Sequence, residues 1–121
     1  MEYSTYLEIA MSTSKEFITY ILENIEDAGV ITFRKMFGEY AVYCDGKVIA
    51  LVCDEQFFLK PTVKGRKFIG DVIEAPPYNG AKNYFLIEEG IEDRKWFSRL
   101  IRITADEIPE PKPRPKKKRS E

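Results

Sequence analysis

The sequence predicts an α+β domain in two layers. Helices pack on an antiparallel meander sheet in the order α-β(3-4)-α-β(1-2)-α. Three observations carry this. An apolar stripe of helical period runs from Phe17 to Ile25 behind a cap signal. Two β-rich runs then flank Asp45-Gly46, the strongest short hairpin signal in the chain. A second helical stripe, Trp96 to Thr104, ends before Pro109.

The elements follow in order. Residues 1–11 read as an N-terminal extension: Tyr3, Tyr6, Leu7 and Ala10 have helical spacing over a short span. The first helix is expected over 14–28. Thr13 and Glu16 form a capping-box pair, which satisfies two amides that a helix start leaves orphaned. Phe17, Ile18, Ile21, Leu22 and Ile25 face the core; Glu23, Glu26 and Asp27 face away. Gly29 stops the helix. Strands are expected over 32–37, 39–44, 47–53 and 56–60, the last closed by Pro61. The run Val48-Ile49-Ala50-Leu51-Val52 is apolar on both faces, as in a central strand covered on both sides by a helix or another subunit. Thr62 caps a short helix reaching Gly70, in which Gly65 costs about 1 kcal/mol. Pro76-Pro77-Tyr78-Asn79-Gly80 is a loop, residues 84–87 a strand, and the third helix spans about 92–107.

The domain proper covers residues 12–108. Residues 109–121, PEPKPRPKKKRSE, hold four of the seven prolines and no apolar residue able to join a core, so a disordered, partly polyproline-like basic tail is expected. The net charge of −1 hides an asymmetry. Residues 1–108 carry 13 basic and 18 acidic side chains, a net of −5, while residues 109–121 carry six and two, a net of +4.

At 121 residues and 44% hydrophobic, the chain has material for one core without disulfides or metal. No run approaches the ~18 apolar residues of a membrane span, and the acidic N-terminus is no secretory signal. A cytoplasmic protein without a membrane role is expected. If Asp45-Gly46 closes a two-residue hairpin, Cys44 pairs with Lys47 and Cys53 falls opposite Gly38. The sulfurs are then too far apart for a bridge, and both are read as free, half-buried thiols.

No histidine occurs anywhere. That removes the commonest general base, the serine triad and most zinc arrangements. The glycines are isolated and form no phosphate loop. Glu88-Glu89 and Asp54-Glu55 fall in expected turns and read as solvated surface. No catalytic residue, metal or cofactor is assigned.

Several basic and aromatic residues remain as candidate contacts. Arg34 and Lys35 on an extended segment point to opposite faces, so one shares a face with Phe33 or Met36, or the strand is an edge. Such a pair either meets an acidic partner or guards an edge against strand addition. Lys60, Tyr78, Lys82 and Tyr84 are able to converge near one end of the sheet, the basic-aromatic mixture that single-stranded nucleic acid favours. Lys95, Arg99 and Arg102 form a stripe on the third helix, opposite Trp96. In the tail, Lys112, Arg114, Lys116, Lys117, Lys118 and Arg119 suffice to neutralise several phosphates without sequence preference.

Residues Arg34-Lys35-Met36-Phe37-Gly38-Glu39-Tyr40, the Tyr43 strand with Asp45-Gly46, and Ala50-Leu51-Val52 with Asp54 form one group of marks. Lys60-Pro61, Pro77-Tyr78, Gly80-Ala81-Lys82 and Tyr84-Phe85-Leu86-Ile87 form another. Together, from about Met11 to Ile108, they resemble the N-terminal domain of the TfoX/Sxy competence regulators. The resemblance implies an α-β-α-β-α fold with a curved antiparallel sheet, similar to type III secretion chaperones. It also implies transcriptional regulation of DNA-uptake genes alongside the cyclic AMP receptor protein. Full-length regulators carry a second, helical domain. Here only the basic tail follows Ile108, so a stand-alone N-terminal domain is expected.

Three functions compete. In the first, a non-catalytic regulatory or adaptor domain works by protein contact or self-association, with Arg34, Lys35, Met36, Phe37, Lys60, Tyr78, Lys82 and Tyr84 as contact candidates. In the second, a nucleic-acid accessory protein uses the basic tail. In the third, Arg34, Lys60, Tyr78 and Lys82 surround a small anionic ligand.

Overall fold

A computed structural model describes residues 13–110. Helix α1 spans Lys15–Ile25 and runs into a 3-10 turn, Glu26–Ala28. Strands β1 (Ile31–Met36), β2 (Glu39–Cys44), β3 (Lys47–Cys53) and β4 (Gln56–Leu59) follow as a meander. Helix α2 (Val63–Ile69), strands β5 (Ile73–Ala75) and β6 (Tyr84–Ile87), and helix α3 (Arg94–Glu107) complete the described residues. All strand pairs are antiparallel, in the order β1-β2-β3-β4-β6-β5, so β6 inserts between β4 and β5. The fold is α+β, as the sequence predicts.

The helices cap as short polar side chains dictate. Ser14, not Thr13, caps α1: its hydroxyl accepts from Phe17 N at 3.1 Å. Thr13 is instead buried beneath the sheet's end, where its hydroxyl donates to Val52 O and accepts from Glu55 N. Thr62 caps α2 by accepting from Gly65 N, and Asp93 caps α3 by accepting from Trp96 N. Glu107 adds two more bonds, accepting from Val63 N and Lys64 N at 2.9 Å each. Gly65 is therefore more than a helix weakness. A Cβ there would lie 2.5 Å from the Thr62 hydroxyl and 3.5 Å from that of Thr104. The cap and the α2–α3 contact both use its bareness.

One core fills the space between helices and sheet. Ile18, Ile21 and Ile25 of α1 and Phe97, Leu100 and Ile101 of α3 meet Val42, Val52, Phe57, Leu59 and Phe85 from the sheet. The Phe57 and Phe97 rings meet edge-on at 4.9 Å, the geometry the ring quadrupole prefers. On the opposite face Ala41, Cys53 and Phe58 are also buried, and Tyr43, Leu51 and Leu86 are half-buried. The doubly apolar pattern of β3 thus reflects burial on both faces.

The β2–β3 register differs from the expected one by a bulge. Cys44 pairs with Lys47, but Ile49 is an extra residue: Tyr43 faces Val48 and Val42 faces Ala50. The slip carries Cys53 away from Gly38 and toward Glu39. Both thiols are free and fully buried rather than half-buried. Burial, then the hydrogen bond to Glu39, pushes the Cys53 thiol up to about 12.

Arg102 ties the layers together. Its guanidinium donates to Ala28 O at 2.8 Å, to Asp45 at 2.9 Å and to Asp106 at 2.8 Å. Asp45 in turn accepts from Val30 N at 2.9 Å. That bond and the nearby Arg102 hold the Asp45 carboxyl below its ordinary range.

Candidate interaction surface

Strand β1 is an edge: among the described residues it pairs only with β2. Five of its six residues are exposed, against none in β2, β3 or β4. Of the eight large apolar side chains left exposed among the described residues, four cluster on or beside it: Val30, Phe33, Met36 and Phe37. Phe37 is fully exposed, at the tip of the β1–β2 hairpin, with a left-handed φ of 49°.

Strand β1 is an edge, and Arg34 and Lys35 straddle it on opposite faces. Arg34 lies opposite Ala41 on the face away from the helices, alternating with Thr32 and Met36. Lys35 lies opposite Tyr40 on the helix side, with Ile31 and Phe33. That side overhangs α1 and leaves a groove of about 370 Å³. Ile18, Leu22, Ile31, Phe33 and Tyr40 form its floor and walls, and Lys15, Glu23 and Glu26 are its charged lining. The Phe33 and Tyr40 rings are 5.7 Å apart. Glu26 is shared with Arg94 at 2.7 Å; Glu23 makes no ion pair among the described residues.

Sequence reading located Arg34, Lys35, Met36 and Phe37 but missed the groove. The glutamates were read as a solvated face, and only the tertiary placement of α1 beside β1 makes them part of the lining of an apolar cleft.

The other candidates are placed elsewhere. Lys60 follows β4, three strands from Arg34, and its amide donates to Ile49 O at 2.8 Å. Tyr84 opens β6 next to it, half-buried, with its hydroxyl pushed up by burial and by the neighbouring Tyr78. Tyr78 and Lys82 are exposed in the β5–β6 loop. Lys60, Tyr78, Lys82 and Tyr84 thus lie toward one end of β4 and β6, and Arg34 is apart from them. On α3, Lys95 and Arg99 are exposed, but Arg102 is spent on internal bonds, so the basic stripe is broken. Asp54-Glu55 forms the β3–β4 turn, and Glu55 accepts from Ser14 N at 2.6 Å, a structural duty. The tail residues Lys112 to Arg119 lie outside the described residues.

Among the described residues no three acidic, cysteine or histidine side chains gather as a metal-ligand set. No helix among them is long and apolar enough to cross a membrane.

The edge strand, its hairpin tip and every element after α1 fall within a match to the TfoX N-terminal domain model, which covers residues 23–108. A relative in Spirochaeta aurantia, an uncharacterised 12.7 kDa protein in the trpE 5' region, is 36% identical over 104 residues. The alignment covers 86% of this chain and 90% of that one. With the six-stranded sheet and its three helices, these similarities establish that the chain belongs to the TfoX N-terminal domain family.

Proposed function

We propose that the domain is a non-catalytic regulatory or adaptor module acting by protein–protein contact, related in role to the TfoX regulators of competence-gene transcription. The observation that carries this reading is the concentration of exposed apolar side chains on one unpaired sheet edge. A soluble domain ordinarily blunts such an edge. Here the strand keeps its charges at Arg34 and Lys35 and also presents Phe33, Met36 and Phe37. Two buried free thiols support a reducing, cytoplasmic setting.

The test is genetic. The gene is deleted, transcripts are compared, and the deletion is complemented with wild type or with a Phe33→Glu, Phe37→Ser double variant. The reading expects wild type to restore the transcript pattern and the folded variant to leave it unrestored. Full complementation by the variant overturns it.

A second reading rests on the charge asymmetry of the sequence. The run Lys112 to Arg119 supports non-specific nucleic-acid contact. Under this reading the full chain binds duplex DNA at low salt, and deleting residues 109–121 abolishes binding. No binding at low salt removes it.

A further inference from the structure

We propose that the occupant of the β1 edge is a second copy of this chain, paired strand to strand about a two-fold axis centred on Phe33. This deepens the docking reading above and rests on it.

The argument begins with which backbone groups are free. Phe37-Gly38 is a two-residue turn closing on Met36 and Glu39, so that pair exchanges hydrogen bonds. Alternation then turns the Arg34 and Thr32 amides toward β2. Ile31, Phe33 and Lys35 point their N–H and C=O groups outward, where among the described residues no strand receives them.

A two-fold axis normal to the sheet places one residue opposite its own copy, as a hydrogen-bonded pair at Ile31, Phe33 or Lys35 and as a non-hydrogen-bonded pair at Thr32 or Arg34. Centring on Lys35 or Arg34 sets two like charges against each other, which is unfavourable. Centring on Ile31 or Thr32 pairs only the start of the strand. Centring on Phe33 uses its whole length. Phe33 then meets Phe33 of the second copy, Ile31 meets its Lys35, and Thr32 meets its Arg34. No like charges are opposed.

Charge complementarity favours the same register. Ile31, Phe33 and Lys35 share the helix side, so Lys35 of the second copy comes to rest over Ile31. Ile31 lines the groove whose charged lining is Glu23, Glu26 and Lys15, two acids against one base. An ammonium is thus delivered to two carboxylates, one of them without an ion pair among the described residues, and the symmetry repeats the contact. The Phe33 pair seals the apolar floor between.

Sedimentation equilibrium of the full chain, from dilute to concentrated protein, tests this. The expectation is a reversible monomer–dimer equilibrium. Phe33→Glu sets two carboxylates face to face and raises the dimer dissociation constant by about a hundredfold. Lys35→Glu raises it by about tenfold, and adding Glu23→Lys to Lys35→Glu recovers most of that loss. All three positions are exposed, so circular dichroism is expected to remain that of wild type. A chain monomeric at every concentration overturns self-pairing, as does a dimer indifferent to both single variants. The docking reading has its own readout: a monomeric chain whose Phe33→Glu variant still fails to restore transcripts leaves that reading standing and points to a different protein on the edge.

Discussion

The Phe37-Gly38 and Asp45-Gly46 turns have nearly the same backbone, with φ of 49° and 83° in the first and 54° and 82° in the second. Both are left-handed pairs that match the twist of the strands they join. Their side chains differ in every other way. Asp45 tolerates the left-handed region and uses its carboxylate twice, toward Val30 N and Arg102. Phe37 tolerates it poorly, is fully exposed and buries nothing. One turn has a residue suited to holding the fold. The other keeps an aromatic ring in water on a backbone that resists it, at a cost of about 1 kcal/mol. Stability does not account for that choice; the proposed contact with another surface would.

The largest effect that sharpens this contrast is expected at Arg102. Arg102→Ala removes four hydrogen bonds to three residues at the Asp45 end of the sheet and should lower unfolding free energy by about 1–2 kcal/mol, read by urea titration. Gly46→Ala comes next. Nothing lies within 4 Å of a Cβ there, so only the positive φ resists the change. A loss of about 1 kcal/mol is expected. Phe37→Asn should go the other way, raising stability by up to about 0.5 kcal/mol, since Asn accepts the left-handed region more readily. A destabilised Phe37→Asn protein would break the contrast.

The smallest effect is in pH. The folded Asp45 carboxyl titrates below its unfolded range, so its contribution is present above the ordinary carboxylate value and fades as pH falls through the depressed one. The melting temperature of wild type should exceed that of Asp45→Asn at neutral pH, and the gap should close in acid. A gap unchanged by acid would remove the carboxylate from the account.

Much of the fold is legible in the residues because local chemistry and tertiary demand agree there. The α1 stripe, the Asp45-Gly46 hairpin, the Thr62 cap and the α3 core face all follow from spacing and side-chain type. The misses fall where they disagree. Phe37 adopts positive φ on a residue that disfavours it, so the expected strand 32–37 runs one residue past the end of β1 at Met36. The Ile49 bulge hides inside an unbroken apolar run that suits either register. Strand β5 has three residues, two of them exposed, too few to show a period. For the candidate surface, the Arg34-Lys35 pair and its neighbours are visible as a motif. The groove is not, because half of it comes from a helix whose glutamates look like any solvated face.

Arg102 reaches partners 57 and 74 residues away along the chain. Bringing such distant segments together carries a loop-closure cost that is met only once the sheet and α3 have met. Its bonds therefore belong to the last stage of folding. Losing them is expected to speed unfolding and leave the refolding rate nearly unchanged. The guanidinium then acts as a latch on the finished molecule, governing how long a folded copy survives rather than how quickly one is made.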